Sequence, residues 1–363
     1  MSDEVYERLA GALDQLAGGY PRTASNVELD LLRAIFTPNE AELASVLTGR
    51  PVSAEAIAKR VDSDVGEVRE TLDGLLDRGI IWSRSDGGSL DVASHTDGTY
   101  RLAPFMVGVM EAHLAATRDP AFARLVDDYL AAGGAAGIMA PQPALHRVIP
   151  ARAATDIEWV LPYDDVRTIL ANAKSMRVEE CYCRVSQDVL GERRCDFPLE
   201  TCLAFSFVES DDQEGQITRE RALAILDQAE QLGLVHTVSN VASGVGYVCN
   251  CCGCCCELLR GVNDWGIEQS VAQANYYAEI DPSLCTACGT CQKRCQVAAI
   301  VGAGDAKRVV DREHCIGCGV CVTGCEVEAV HLRRKAEEEV VTPPASFEAW
   351  ELQRQRARGI STT

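Results

Sequence analysis

The chain reads as an α+β protein of several domains, and three observations predict it. Helical periodicity over the first hundred residues gives way to a pair of apolar runs that suit a hairpin. Ten cysteines then crowd between positions 181 and 256, among helical and extended stretches. Eight more fall near the C-terminus into two copies of one spacing. A length of 363 residues suggests two or three domains, and a 47% hydrophobic content is enough for each to bury a core. The expected divisions are 1–115, 116–270, 271–333 and a tail over 334–363.

In the first division, Tyr6, Leu9, Leu13 and Leu16 recur at helical spacing, and Gly18-Gly19 ends that helix. Further helices are expected near 27–36, near 39–47 after Pro38, over 53–61 and over 65–78, with Gly79 closing the last. Ile80-Ile81-Trp82 and Thr99-Tyr100-Arg101-Leu102 read as two strands of a ribbon with a polar tip at 85–89. Helix, turn, helix, hairpin is the order of a winged-helix domain, and residues 20–105 resemble one. That resemblance implies DNA reading through the helix 64–78. The helix carries Asp64, Glu67, Glu70, Asp73 and Asp77 against only Arg69 and Arg78, the wrong sign for phosphates. Arg84 and Arg101 near the hairpin are too few to reverse this, and a net charge of −20 points the same way. The domain is therefore read as a protein-interaction or dimerisation module, compatible with a homodimer, with no nucleic-acid partner.

Residues 106–180 read as mostly helical. The apolar pattern continues over 107–116, an amphipathic helix at 120–130 is broken by Gly133-Gly134, and 162–176 is a helix with Val166, Ile169, Leu170 and Ala173 inward. His146 to Pro150 is a short extended piece, with His146 structural. Next come Cys181-Tyr182-Cys183-Arg184, then Cys195 and Cys202, a helix at 218–231 stopped by Gly233, and a strand at 234–238. The densest run follows: Cys249-Asn250-Cys251-Cys252-Gly253-Cys254-Cys255-Cys256. A free cysteine is often a small buried hydrophobe, but six within eight residues signal soft-metal ligation or thiol redox chemistry. Cys181, Cys183, Cys195 and Cys202 can close a tetrahedral or cubane site, with Arg184 offsetting its negative charge. The run offers x2-spaced pairs such as Cys249/Cys252 and Cys252/Cys255. Neighbouring side chains point apart, so Cys249, Cys251, Cys252, Cys254 and Cys255 can serve two adjacent sites. One or two further [4Fe–4S] clusters are expected here; zinc and a redox-active thiol site are the alternatives.

The last division carries Cys285, Cys288, Cys291, Cys295 and then Cys315, Cys318, Cys321, Cys325. Each copy reads C-x2-C-x2-C-x3-C, and every equivalent pair is 30 residues apart. Three closely spaced thiolates grip three irons of one cubane, and the fourth is carried to the other cluster. The expected sets are Cys285, Cys288, Cys291 with Cys325, and Cys315, Cys318, Cys321 with Cys295. Zinc sites instead show two C-x2-C pairs across a longer loop. At this point residues 276–333 resemble bacterial-type two-[4Fe–4S] ferredoxins. The residue after the fourth cysteine, commonly Pro in that family, is Gln296 in one copy and Glu326 in the other.

As a whole the chain resembles a family of bacterial 4Fe–4S dicluster proteins, with a winged-helix-like N-terminus ahead of a C-x-C-R segment, a C-N-C-C-x-C-C run and a ferredoxin pair. The Cys251-Cys252-Gly253 triplet is similar to motifs of heterodisulfide-reductase-type subunits, whose distant partner cysteines do not follow here. The family resemblance implies electron transfer. The expected function is a cytoplasmic carrier of low-potential electrons, or an oxidoreductase subunit, working with a flavin- or metal-dependent oxidoreductase in anaerobic metabolism. A reductase with its own substrate site at Cys249–Cys256 and a redox-sensing winged-helix regulator are the alternatives. Gly244-Val245-Gly246 is the nearest thing to a phosphate-cradling loop, but Cys249 stands where its third glycine belongs, so no nucleotide site is expected. The first residues carry neither a basic nor an apolar leader, and no stretch approaches the roughly 18 apolar residues of a membrane span. Thiols in this number suit a reducing cytoplasm.

Overall fold

A computed structural model describes residues 2–83, 98–155, 161–209, 215–302, 304 and 306–361. The expected polar tip at 85–89 and Arg84 lie outside the described residues. The N-terminal region opens with helices α1 (Ser2–Asp14), α2 (Val27–Ile35) and α3 (Pro38–Ser45). Thr37 and Glu40 form a reciprocal cap at the start of α3, and Pro38 sits where its missing N–H costs nothing. Strand β1 (Val52–Ser53), helices α4 (Ala54–Val61) and α5 (Val65–Asp77), and strands β2 (Ile81–Trp82) and β3 (Thr99–Leu102) complete it. The sheet order is β1-β3-β2, antiparallel throughout, so β3 has a second neighbour that the hairpin pattern did not reveal.

The acidic face of α5 is partly used within the fold. Asp64 caps the helix, and Asp73 accepts a 2.6 Å hydrogen bond from Tyr100 Oη. Arg69 pairs with Glu55 and Arg78 with Glu40. Arg101 is buried, with its guanidinium 4.8 Å from the Trp82 ring centre.

Helices α6 (Met110–Thr117), α7 (Pro120–Tyr129) and α8 (Ala135–Met139) follow. α7 packs against α2, and Tyr129 meets Tyr20 and Phe105 in a buried aromatic group. Just before α6 the chain kinks, with Val107 at φ 61°, a conformation β-branched residues rarely adopt. The Glu111 carboxylate holds that kink by accepting the N–H groups of Val107 (2.9 Å) and Gly108 (2.8 Å).

The middle is built on one six-stranded sheet. Its elements in chain order are β4 (His146–Ile149), α9 (Val166–Ala171), β5 (Ser175–Glu180), α10 (Tyr182–Val189), β6 (Glu200–Ser206), α11 (Arg219–Leu232), β7 (Val235–Ser239), β8 (Tyr247–Cys251), α12 (Glu257–Asn263) and β9 (Val271–Ala272). The sheet order is β5-β6-β8-β7-β4-β9, antiparallel except for the β4–β9 pair. The expected helix over 162–176 is corrected here. A short turn at Pro162–Asp164 precedes α9, and the chain then leaves the helix for β5. Pairing with β6 wins over local helical periodicity: Lys174 N–H already bonds the Ser206 carbonyl at 2.8 Å. Gly233 does end α11, at φ 85°.

The C-terminal part pairs β10 (Tyr276–Ile280) with β13 (Val330–Arg334), and β11 (Ile300–Val301) with β12 (Val309–Val310), around the short helix α13 (Thr290–Arg294). The 30-residue repeat is present in the backbone. Ala287 and Gly317, Gly289 and Gly319, and Ala298 and Glu328 all have positive φ. Asp281 N–H bonds Ala329 O and Asp311 N–H bonds Ala299 O, each at 2.7 Å.

The tail does not trail away. Helix α14 (Phe347–Ala357) lies on the body. Trp350 Nε1 donates to Ala144 O at 2.9 Å, and the fully buried Arg354 donates to the carbonyls of Ala17, Ile138, Pro141 and Pro143. One apolar core, from Val5 to Trp350, runs through all these parts. Among the described residues no helix is long and apolar enough to cross a membrane.

Candidate metal centres

The cysteine run divides because its backbone changes form midway. In β8 side chains alternate, so Cys249 and Cys251 share one face and Asn250 takes the other. The strand ends at Cys251, the chain turns over Gly253–Cys255, and Cys256 stands at the N-cap position of α12. Cys249, Cys251 and Cys256 thus face one side, and Cys252, Cys254 and Cys255 the other.

On the first side they meet Cys181 at the N-cap position of α10, Cys183 in its first turn, and Cys202 on β6. The six thiols form a closed circuit. Each thiol lies close enough to its neighbours to act on their ionisation: Cys181 with Cys183 and Cys202, Cys202 with Cys249, Cys249 with Cys251, Cys251 with Cys256, and Cys256 with Cys183. All six line a cavity of about 370 Å³ that reaches Trp82 and Val107 of the N-terminal region. The N-termini of α10 and α12 both point their positive dipole ends at this ring.

Ionisable groups complete the cavity wall. Burial pushes the Glu111 carboxyl up to about 7, against the pull of the Gly108 and Val107 amides. Burial, then the nearby Glu111 and Cys256, hold Glu257 well above the usual carboxylate range. Burial lowers His146 to about 4, so its ring is neutral near pH 7. His146 bridges Tyr247 Oη (2.7 Å) and Thr237 Oγ1 (3.2 Å), and Thr237 Oγ1 lies 3.5 Å from Cys251 Sγ.

On the second side Cys252, Cys254 and Cys255 meet Cys195. All four sulfurs lie within 4.8 Å of one another, with Cys195–Cys255 and Cys254–Cys255 at 3.7 Å and Cys195–Cys252 at 4.0 Å. The expected grouping of Cys195 with Cys181, Cys183 and Cys202 is therefore corrected. Cys195 lies on the extended segment between α10 and β6, which carries it away from its three supposed partners. Arg184 serves both sides. It is wholly buried, donating to Asn250 O (3.2 Å) and to Thr201 Oγ1, with Nη1 3.8 Å from Cys252 Sγ. Burial alone would lower its pKa, but the surrounding thiols, Cys181 and Cys252 first, hold it above its ordinary value.

In the C-terminal part Cys325 lines the same small cavity as Cys285, Cys288 and Cys291, alongside Arg308 and Val330. Cys295 lies close enough to Cys318 and Cys321 to act on their ionisation, and Cys315 close enough to act on that of Cys295. Backbone N–H groups reach the two fourth sulfurs identically, Ala299 to Cys295 and Ala329 to Cys325, each at 3.2 Å. The copies differ in surroundings. Cys288 is exposed, and the backbone amides of Arg308 and Ala287 hold the neighbouring Cys285 thiol below its ordinary range. The second copy lies against the middle: Ala151 N–H bonds Cys318 O at 2.9 Å, and burial pushes the Cys318 thiol up to about 12.

Two side chains lock the parts together. Arg294 donates to Val320 O, Gln231 O, Glu230 O and Thr323 Oγ1 at 2.7–2.8 Å. Gln296 accepts the Gly253 N–H (2.7 Å) and donates to Gly233 O (2.8 Å). A Cβ added to Gly253 would stand 2.0 Å from the backbone O of Gln296, so any larger residue would force the two segments apart. From Asn250, side-chain contacts run through His236 (2.5 Å) to Glu230 (3.3 Å), which accepts the amides of Arg152 (2.9 Å) and Ala153 (3.2 Å) next to Ala151.

Sequence reasoning left Cys256 out of the ligand set, though its place in the run was the available signal. It also missed Glu111 and Glu257, which no motif marks.

Comparison with known proteins adds one finding. A family model described as a 4Fe-4S dicluster domain matches residues 277–326. No curated protein and no solved structure matches the chain.

Proposed function

We propose that this chain is an iron–sulfur electron-transfer protein. One cubane would be held by Cys285, Cys288, Cys291 and Cys325, the second by Cys315, Cys318, Cys321 and Cys295, and a further cluster by the six-thiol ring. The dicluster match over the doubled cysteine spacing carries this reading. The exposed copy suits exchange with a redox partner, a flavin- or metal-dependent oxidoreductase, because Leu284 and Val327 beside it are exposed and apolar. The buried copy faces the middle, and the contacts from Cys318 through Glu230 and His236 to Asn250 give a bonded route towards the ring. The N-terminal helices and sheet suit a winged-helix-like interaction module, since Arg69 of α5 and Arg78 just after it are both engaged with acids. A reducing cytoplasm suits so many thiolates. The test is a dithionite titration of anaerobically prepared full-length protein, followed by visible and EPR spectra. Interacting signals of reduced cubanes are expected; iron that cannot be reduced, or no iron at all, sinks the reading.

A reductase with its own substrate site is favoured by one observation. The ring borders a cavity of about 370 Å³ with Glu257 and Glu111 in its wall, and the Glu111 carboxyl, raised to about 7 by burial, is able to exchange a proton near neutral pH. Cyanide or a small thiol that alters the EPR of the ring-held cluster alone would support an open site there. Unchanged spectra would leave the chain a carrier.

A further inference from the structure

We propose that Cys195, Cys252, Cys254 and Cys255 bind a single tetrahedral ion, zinc or mononuclear iron, and not an iron–sulfur cubane. The shape of the site carries this. Four points with all six separations within 4.8 Å, three of them 3.7–4.0 Å, form a compact tetrahedron. A metal–sulfur bond of about 2.3 Å sets tetrahedral ligand sulfurs about 3.8 Å apart. In a cubane each thiolate is carried outward on its own iron, so the sulfurs stand roughly 6 Å apart. The ferredoxin-type cysteines provide an internal control. Among the described residues only the Cys195 group gathers its ligand atoms this closely, and the eight cysteines of the dicluster match do not.

Charge and packing agree with one closed ion. Four thiolates around a divalent ion leave a net negative charge, and the Arg184 guanidinium stands 3.8 Å from Cys252 Sγ. Ala229, Leu234 and Phe197 pack about the site, and Cys252 and Cys255 are 1% exposed. With all four positions filled by sulfur there is none left for substrate, which marks a structural ion. Its work would be mechanical. It pins the extended segment that carries Cys195 to the turn over Gly253–Cys255, the turn that Gln296 grips from the ferredoxin side. A zinc ion here could not take electrons from its neighbours, so the site would be a redox-silent bracket between the ring and the ferredoxin pair.

The experiment measures metal content and sulfur coordination in full-length protein made anaerobically with iron and zinc both supplied. About one zinc per chain is expected, with four sulfurs at about 2.3 Å in the zinc-edge absorption spectrum. Cys254→Ser should lose that zinc with the ferredoxin EPR intact, and Cys254→His should retain it. An isolated tetrathiolate iron, lost in the same variant, supports the one-ion site and identifies the metal as iron. The proposal is overturned if zinc is absent and Cys254→Ser lowers iron and sulfide by about four each per chain. It is also overturned if Cys254→Ser changes no metal. Should the variants fail to accumulate, the spectrum of the unaltered protein decides alone. Failure here leaves the electron-transfer reading standing, because the ferredoxin signals are measured separately.

Discussion

Two sites drawn from the same eight-residue run have opposite shapes. Around Cys195 four sulfurs close on one another with room between them for a single ion. Around Cys181 six sulfurs form a circuit at the wall of a cavity of about 370 Å³. Backbone form makes the difference. The ring takes residues that a pleated strand spaces along one face, together with residues at two helix starts. The tetrahedron takes three of its four from one tight turn. Compactness suits holding, and an open circuit with protonatable neighbours suits chemistry. Cysteine density alone does not tell these roles apart.

The comparison breaks most visibly if the ring is opened. Cys256→Ser should remove the ring-held cluster, about a third of the iron if three four-iron clusters are present, while the tetrahedral ion and the ferredoxin EPR persist. If metal analysis shows both middle sites emptied together, they are one site. Arg184 is the next lever, because it stands beside Cys252 of one site and its charge acts on Cys181 of the other. Arg184→Met should destabilise the loaded protein by about 3 kcal/mol, as expected when a buried charge loses its partner. Thermal melting with metal counts would check it, and loss from one site alone would assign Arg184 to that site.

A smaller effect separates the bracket from the ferredoxin repeat. Gln296→Ala removes two hydrogen bonds to the middle and should cost about 2 kcal/mol. The equivalent Glu326 is exposed, so Glu326→Ala should change stability by less than about 0.5 kcal/mol. Equal costs in urea unfolding would deny the Gln296 contact its role. The smallest effect concerns the cavity wall. The Glu111 carboxyl sits at about 7 in the fold against an ordinary 4.5. Its stabilising contribution is therefore full below about 4.5 and lost as pH rises through about 7. Glu111→Gln should flatten the decline in Tm across that window; parallel pH profiles would clear this carboxyl.

The sequence discloses these regions unevenly. The ferredoxin repeat is legible because its ligands are local and its spacing recurs, and the same 30-residue offset returns in the backbone at Ala298 and Glu328. Most N-terminal helices are legible from periodicity and from breakers, as at Pro38 and Gly79. β5 is not, because its partner β6 lies beyond an intervening helix and sheet pairing overrides the local pattern. The division of the run is half legible. Alternation along a strand predicts two faces, but that Cys256 returns to the first face depends on where β8 ends and α12 begins. The choice of Cys195 over Cys202 depends on tertiary placement, which spacing does not encode.

The clasp made by Arg354 sets an order of events during synthesis. Ala17 and Arg354 lie 337 residues apart in the chain, so at about 10 residues per second roughly half a minute separates their emergence from the ribosome. Every cysteine, Cys325 included, has been translated before the clasp can close. All the sulfurs are thus present in the chain before its two ends are joined. Joining them is a late step, and a chain cut short before residue 354 would have its sulfurs and lack its clasp.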